Sequence, residues 1–287
     1  MAIIIKNLTY VFMPDSPFMS VALENVTLQI DDGEFVAIIG HTGSGKSTLV
    51  QHFNGLLKPS SGTVIVNGIN TAEKSADLTA LRRKVGLVFQ YPEYQLFEET
   101  VERDVAFGPN NLGLSKQEVE ERVRRAIAQV HLDFDAVAQR SPFELSGGQR
   151  RRVAIAGILA MEPEILVLDE PSAGLDPRGR QEVLDMISEI HQRQHCTVVL
   201  VSHNMDEVAR IAQRVLVINQ GRVMMSGTPK EIFARGEQLK SVGLDLPSMA
   251  QLCDAMRARG VDVPDDIITV EDFHAFFRER LRAKDHA

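Results

Sequence analysis

The sequence has only two cysteines in 287 residues, Cys196 and Cys253. Two thiols cannot build a disulfide framework, so a reducing cytosol is the simplest setting and both cysteines are expected to be packing residues. Positive charge is also scarce, because 31 Lys and Arg face 39 Asp and Glu, giving a formal net charge of -8. A general nucleic-acid binder is usually basic, and we therefore expect no nucleic-acid partner.

Long apolar runs, internal repeats and low-complexity segments are also missing. A membrane-spanning helix needs about 20 mainly apolar residues, so we expect no span, although the protein can sit against a membrane. Residues 1–6 become polar too early for a signal peptide. The composition, 44% hydrophobic and 24% charged, is ordinary for a globular protein. The length allows one sizeable core and a small appendage.

One glycine-rich segment lies between an apolar run and a predicted helix. A strand, a glycine-rich turn and a helix start are the context of a phosphate-binding P-loop, in which backbone N–H groups face one anion. Lys46 would reach the outer phosphates and the Ser47 hydroxyl would ligate Mg²⁺, whereas His41 is expected to point to solvent. The alternative is a tight turn with an exposed lysine. The residues are Gly40, His41, Thr42, Gly43, Ser44, Gly45, Lys46, Ser47 and, opening the helix, Thr48.

Four nearly continuous apolar runs predict strands that are buried on both faces, as in a parallel sheet. They cover residues 35–39, 85–89, 165–168 and 198–201. The P-loop, Gln90, Asp169 with Glu170, and His203 follow their ends. Ligands of open α/β sheets bind beyond the carboxyl ends of the strands, so these groups predict a site there. Segments 26–30 and 62–68 predict an antiparallel β layer beside it.

These strand ends carry groups suited to nucleotide hydrolysis. Asp169 would hold Mg²⁺ and Glu170 would polarise the attacking water. His203 can contact the γ-phosphate through its imidazole. The alternative for the carboxylates is an exposed strand end, and for the histidine a structural role.

A second glycine-rich turn follows Leu145 and precedes the helical segment 150–156. Its residues are Ser146, Gly147, Gly148 and Gln149. A turn of this kind at a helix start is a second anion site. One ATP would use both turns if two chains met head to tail, each offering this turn to the nucleotide on the other's Lys46.

Taken in order, these motifs resemble those of ABC-type ATPases over residues 1 to about 235. Residues 40–47 match Walker A, Gln90 the Q-loop, residues 145–149 the signature, residues 165–170 Walker B, residues 172–176 the D-loop and His203 the switch histidine. The resemblance implies an active ATPase that uses ATP and Mg²⁺, with Lys46, Gln90, Glu170 and His203 as catalytic groups. It adds Gln90 to the metal site, and it implies that Phe12, or else Tyr10, stacks on adenine.

Residues 90–97 and 105–109 are similar to the energy-coupling factor (ECF) transporter ATPases, and residues 40–43 resemble their second A subunit. The resemblance implies an α/β cassette with a mostly parallel core sheet, an antiparallel β layer and a helical subdomain at about 91–160. It implies an importer of vitamins or transition-metal ions at the cytoplasmic face of the cell membrane. The partners would be a sister ATPase, or a second copy, and membrane T and S subunits.

After about Arg235 no strand pattern returns, and residues 236–287 are interpreted as a small helical domain. Helices are predicted over 248–259 and from about 269, where Phe273, Phe276 and Phe277 share one face; the alternative is a disordered tail. The resemblance implies that this domain holds the dimer together. Rival functions are a soluble ABC ATPase acting on nucleic acid or ribosomes, an ABC exporter subunit and a P-loop kinase.

Overall fold

The computed structural model describes residues 1–285 and forms two sheets flanked by helices. The strands, in chain order, are β1 (Ile3–Phe12), β2 (Ser20–Ile30), β3 (Phe35–Ile39), β4 (Ser61–Val66), β5 (Ile69–Asn70), β6 (Val85–Val88), β7 (Ile165–Asp169), β8 (Thr197–Val201), β9 (Arg214–Asn219) and β10 (Arg222–Gly227).

The helices lie between the strands and fill the region after them. They are α1 (Lys46–Gln51), α2 (Leu78–Lys84), α3 (Val101–Asn110), α4 (Lys116–Gln129), α5 (Phe134–Val137), α6 (Gly147–Leu159), α7 (Pro177–Gln194), α8 (Met205–Ile211), α9 (Pro229–Phe233), α10 (Gly236–Ser241), α11 (Ser248–Arg257) and α12 (Val270–Asp285). Short 3₁₀ turns cover Pro92–Gln95 and Pro142–Glu144. Within residues 1–285, no helix combines the length and apolar character that crossing a bilayer requires.

The core sheet has the order β10-β9-β3-β8-β7-β6, and its strands are parallel except for the antiparallel β9–β10 pair. The four predicted apolar runs are the adjacent strands β3, β8, β7 and β6, so the predicted parallel sheet is confirmed. The second sheet, β2-β1-β4-β5, is antiparallel and confirms the predicted β layer.

Alternate residues of the core strands enter different hydrophobic clusters because side chains alternate across a sheet. Ile165 and Val167 pack toward the β layer, whereas Leu166 and Leu168 pack toward helices such as α4, α6 and α7. All four side chains are fully buried. Burying each of them contributes about 1.5–3 kcal/mol, which explains why these runs are almost continuously apolar.

The described segment after residue 235 consists of helices α10, α11 and α12 joined by loops. Helix α11 ends at Arg257, two residues before the predicted end, and the chain then turns at Gly260 with a φ of 80°. Helix α12 begins at Val270, as predicted from Thr269 onward. Leu244, Leu246 and Ala250 belong to the same hydrophobic cluster as strands β3 and β9, so this segment packs directly on the core sheet.

Candidate nucleotide-binding site

The P-loop wraps around the ammonium group of Lys46. Its Nζ donates to the carbonyl oxygens of Gly40 at 2.7 Å and His41 at 3.0 Å. Gly45 precedes α1 with a φ of 103°, a left-handed conformation that favours glycine. Burial lowers the pKa of Lys46, and the negative charges of Glu170 and Asp169 oppose that shift. The lysine is therefore held inside the turn, beside the two carboxylates that end β7.

His41 differs from its expected position. The ring is half-buried rather than directed into solvent, and its Nε2 lies 3.2 Å from Oδ1 of Asn219. The other ring nitrogen lies 2.8 Å from the carbonyl oxygen of Thr42. The expectation of a solvent-facing His41 is therefore wrong, because the end of β9 supplies a side-chain partner for the imidazole.

Asp169 presents an oxygen suited to a metal ion. The side chain is buried, and its Oδ1 has no hydrogen-bond partner within residues 1–285. Burial raises the pKa of Asp169, and a hydrogen bond from Ser47 lowers it. Mg²⁺ prefers hard oxygen ligands, so this carboxylate and the Ser47 hydroxyl fit the ion. Among the described residues, no group of three or more His, Cys, Asp or Glu side chains is arranged to hold a metal ion. The remaining ligands would therefore be phosphate and water oxygens.

Glu170 connects two groups that follow other strands. Its Oε1 lies 2.6 Å from Nε2 of His203, and its Oε2 accepts a hydrogen bond from Nε2 of Gln90 at 3.0 Å. Glu170 has a φ of 52°, an uncommon left-handed conformation for a non-glycine residue. The ends of β6, β7 and β8 therefore bring an amide, a carboxylate and an imidazole together next to the P-loop.

The Ser146 turn lies apart from this group. Ser146 is the N-cap of α6, and it forms a capping box with Gln149. In the part of the chain that the structure describes, an added Cβ at Gly147 or Gly148 would meet no atom within 4 Å. Within residues 1–285, no hydrogen bond joins the turn to the P-loop. The turn is open toward the outside of the molecule.

The aromatic candidates lie next to the P-loop helix. The Tyr10 ring packs edge-on against buried His52 at 5.0 Å and against Phe12 at 4.9 Å. His52 in turn has its Nδ1 2.7 Å from the carbonyl oxygen of Thr48. Phe12 is 42% exposed, whereas Tyr10 packs against the core. Of the two, Phe12 has the more accessible ring face.

Sequence reasoning missed two buried charged residues beside the site. Glu207 accepts hydrogen bonds from the hydroxyls of Ser172 and Ser202, and Arg151 donates to the segment after Glu170. A signal existed for Arg151, because it precedes buried Ile155 and Leu159 by one and two helical turns. For Glu207 no local pattern distinguishes it from exposed Asp206.

The fold and this site define an ABC-type ATP-binding cassette. The sequence model of the ABC transporter family matches residues 23–173. The chain is 52% identical over 273 residues to the energy-coupling factor transporter ATP-binding protein EcfA2 of Clostridioides difficile strain 630, covering 95% of each chain. It is 49% identical over 266 residues to EcfA2 of Bacillus subtilis strain 168, covering 92% of this chain and 96% of that one.

Solved structures agree with these relatives. The cbiO1 protein of Clostridium perfringens, described as part of the ABC transporter complex cbiONQ, is similar with a TM-score of 0.74 and 38% identity, covering 88% of this chain and 98% of that one. The ATP-binding cassette MJ0796, in a dimeric post-hydrolysis state bound to ADP and Pi, gives a TM-score of 0.70 and 32% identity, covering 79% and 98%. The chain therefore belongs to the ABC transporter family and, within it, to the energy-coupling factor transporter ATP-binding proteins of the A2 type.

Proposed function

We propose that this ATPase drives an ECF importer for vitamins or transition-metal ions from the cytoplasmic face of the membrane. One observation carries the proposal: Lys46, Asp169 and Glu170 meet Gln90 and His203 at one sheet edge, while the Ser146 turn faces outward. A soluble ABC ATPase acting on nucleic acid or ribosomes is not favoured, because relatives that match almost the whole chain carry transporter names.

ATP would bind with its phosphates in the P-loop and its adenine on Phe12. Lys46 would then exchange its two carbonyl contacts for phosphate oxygens, as a buried point charge can. Asp169 and Ser47 would hold Mg²⁺, with Gln90 beside it. When bound, the ion would supply positive charge that offsets the negative charge developing on the transferred phosphoryl group. Glu170 would orient the attacking water, and His203 would stabilise the charge on the transferred phosphoryl group.

The outward-facing Ser146 turn supports a site that two cassettes complete. In a head-to-tail pair, Ser146 and the N–H groups of Gly147 and Gly148 would meet the γ-phosphate on the partner, because a helix N-terminus attracts anions. The partner would be a sister ATPase, or a second copy of this chain. Hydrolysis removes the shared phosphate, and the pair opens. The domain predicted over residues 236–287, of which 286 and 287 lie outside the described residues, would add to the contact between the two subunits.

A groove of about 580 Å³ suits a helix from a membrane T subunit that carries an S subunit. Its apolar lining includes Leu87, Leu96, Phe97, Phe107 and Met161. The rings of Phe97 and Phe107 pack edge-on with their centroids 5.0 Å apart. The two residues are 59% and 50% exposed, respectively. Exposed aromatic rings beside an apolar groove are typical of helix-in-groove docking. Residues 90–97, which run from Gln90 to this groove, are called the docking segment below.

The Glu170→Gln variant tests the catalytic assignment. Glutamine keeps the size of the side chain but cannot act as a base, so ATP turnover should fall at least ~10²-fold while ATP binding is retained. A matched control is Glu189→Gln, because Glu189 also lies beside a histidine, 3.3 Å from Nε2 of His131, but belongs to the second half of α7 and not to a strand end of the site. Wild-type turnover in Glu170→Gln would contradict the proposal that Glu170 orients the attacking water.

Affinity capture tests the membrane assignment. The tagged chain, purified from detergent-solubilised membranes, should bring with it a second ATPase and integral membrane subunits. The double variant Phe97→Ala and Phe107→Ala should retain the ATPase partner but lose the membrane subunits. Recovery of ribosomal proteins or nucleic acid in place of membrane subunits would contradict the proposal.

A further inference from the structure

Arg151 is the largest side chain that is fully buried in the described part of the chain. It lies in the first turns of α6, between the less buried Arg150 and Arg152. A guanidinium is always charged, and burying it is costly unless its donors are satisfied. The hydrogen-bond partners of Arg151 therefore indicate which segments this buried charge stabilises.

Its donors serve two segments that are far apart in sequence. Nε and Nη2 donate to the two carboxylate oxygens of Glu93 at 3.0 and 2.8 Å, a bidentate pair within the docking segment. Nη1 donates to the carbonyl oxygens of Pro171 at 3.0 Å and Ala173 at 2.6 Å. These two carbonyls belong to the first and third residues after Glu170. One side chain thus holds together the docking segment and the backbone that follows the catalytic carboxylate.

A second contact joins the same two segments. An added Cβ at Gly174 would lie 3.3 Å from Cε1 of Tyr91, so the ring of Tyr91 packs closely on that backbone. Arg151 Cζ lies 5.8 Å from the centre of the Tyr91 ring. Tyr91 itself has a φ of 56°, which is rare for a bulky residue and is maintained only by surrounding contacts. The two segments are therefore packed as one unit around the guanidinium.

The geometry of the pair makes it selective for arginine. A planar fork that reaches both carboxylate oxygens fixes the orientation of Glu93 as well as its distance, whereas a lysine ammonium would supply a single point charge. Burial alone would raise the pKa of Glu93, but the hydrogen bonds and charge of Arg151 outweigh burial and lower it. Glu93 is therefore ionised at neutral pH and the pair is fully charged.

We infer that Arg151 is a positioning residue that makes the docking segment and the segment following Glu170 move together, and so couples nucleotide state to the membrane-facing groove. The inference rests on the docking role and nucleotide site proposed above. Closely packed units shift between discrete arrangements rather than deforming continuously. A change at Glu170 on ATP binding is then transmitted through Pro171 and Ala173 to Arg151, and from there to Glu93.

Hydrogen exchange of the full chain tests this coupling, with Mg²⁺ and ATP as the probe and Glu170→Gln as the background that prevents turnover. ATP should slow exchange in residues 40–51, where it binds. It should also alter exchange in residues 91–97 by about fivefold or more, the lower end of typical coupling between sites. Adding Arg151→Lys or Glu93→Gln should abolish the change in residues 91–97 and leave the change in residues 40–51 intact.

The matched control is Arg214→Lys, because Arg214 forms a similar bidentate pair with Glu34, at 2.6 and 2.8 Å, away from the docking segment. This control should keep both changes. If Arg151→Lys does not fold, the Glu93→Gln variant alone tests the inference, because glutamine preserves the side-chain volume. An unchanged response of residues 91–97 in Glu93→Gln, or no response in the Glu170→Gln background alone, would overturn the inference. No response in residues 40–51 would instead overturn the proposed nucleotide site, and the inference with it.

Discussion

Removing the two serine hydroxyls that hold Glu207 should destabilise the protein by more than the sum of the single effects. The Ser172 hydroxyl lies 3.0 Å from both carboxylate oxygens, and the Ser202 hydroxyl donates at 2.9 Å. Glu207 is only 6% exposed. A hydrogen bond to a charged group contributes about 1.5–3 kcal/mol, so Ser172→Ala and Ser202→Ala should each cost about that much.

The double variant leaves the carboxylate without either described hydroxyl donor. Its desolvation is then uncompensated, so the loss should exceed the sum of the two single losses. Adding Glu207→Gln to the double variant should recover part of the loss, because a neutral amide is less costly to bury than a carboxylate. These two hydroxyls flank Glu170 and His203, so turnover should fall along with stability.

Urea unfolding followed by circular dichroism measures these losses as shifts in midpoint at constant slope. Ser241→Ala is the matched control, because the exposed Ser241 hydroxyl donates to the carbonyl oxygen of Gln238 at 2.7 Å and not to a buried carboxylate. Its free energy of unfolding should change by no more than about 0.5 kcal/mol. Strictly additive losses in the double variant, or no recovery with Glu207→Gln, would refute the reasoning.

Two further predictions concern the adenine contact and the buried ion pair. Phe12→Ala should weaken ATP binding by about 0.5–1.5 kcal/mol, whereas Phe12→Tyr should leave it unchanged. Calorimetric Kd values check this. If Tyr10→Ala weakens binding and Phe12→Ala does not, the residue that stacks on adenine is Tyr10. The lowered pKa of Glu93 means that its pair with Arg151 stabilises the fold above the ordinary value of 4.5 and is lost as pH falls through the lowered pKa. Wild-type unfolding free energy should therefore decline more steeply with acid than that of Glu93→Gln, and parallel declines would contradict this.

Local patterns predicted the four apolar core strands and the helices α11 and α12. The run over residues 35–39 is strand β3 with the same ends, and the Ser-x-x-Glu spacing of Ser115 and Glu118, typical of a capping box, begins α4. Strand periodicity and caps depend on neighbouring residues, which is why one sequence can reveal them. The end of α11 was placed two residues too late, because no local signal distinguishes the final turn from the residues before Gly260.

Contacts between distant segments could not be predicted in the same way. Asn219, which partners His41, lies 178 residues away, and Glu93 lies 58 residues from Arg151. The order of strands in the sheet determines which distant residues become neighbours in space. Neither composition nor periodicity predicts that order. Three consecutive arginines, 150–152, look alike in sequence, yet the helix buries only the middle one completely.

The open space around Gly147 and Gly148 affects how substitutions at these two positions should be interpreted. Among the described residues 1–285, no atom lies within 4 Å of a methyl group added at either position. A survey of folding in the isolated subunit would therefore rank both glycines as replaceable. In the proposed head-to-tail pair, the same methyl groups would stand between the helix N–H groups and the neighbour's phosphate. The absence of side chains at these two positions would then serve nucleotide binding by the neighbouring subunit and not the folding of this one.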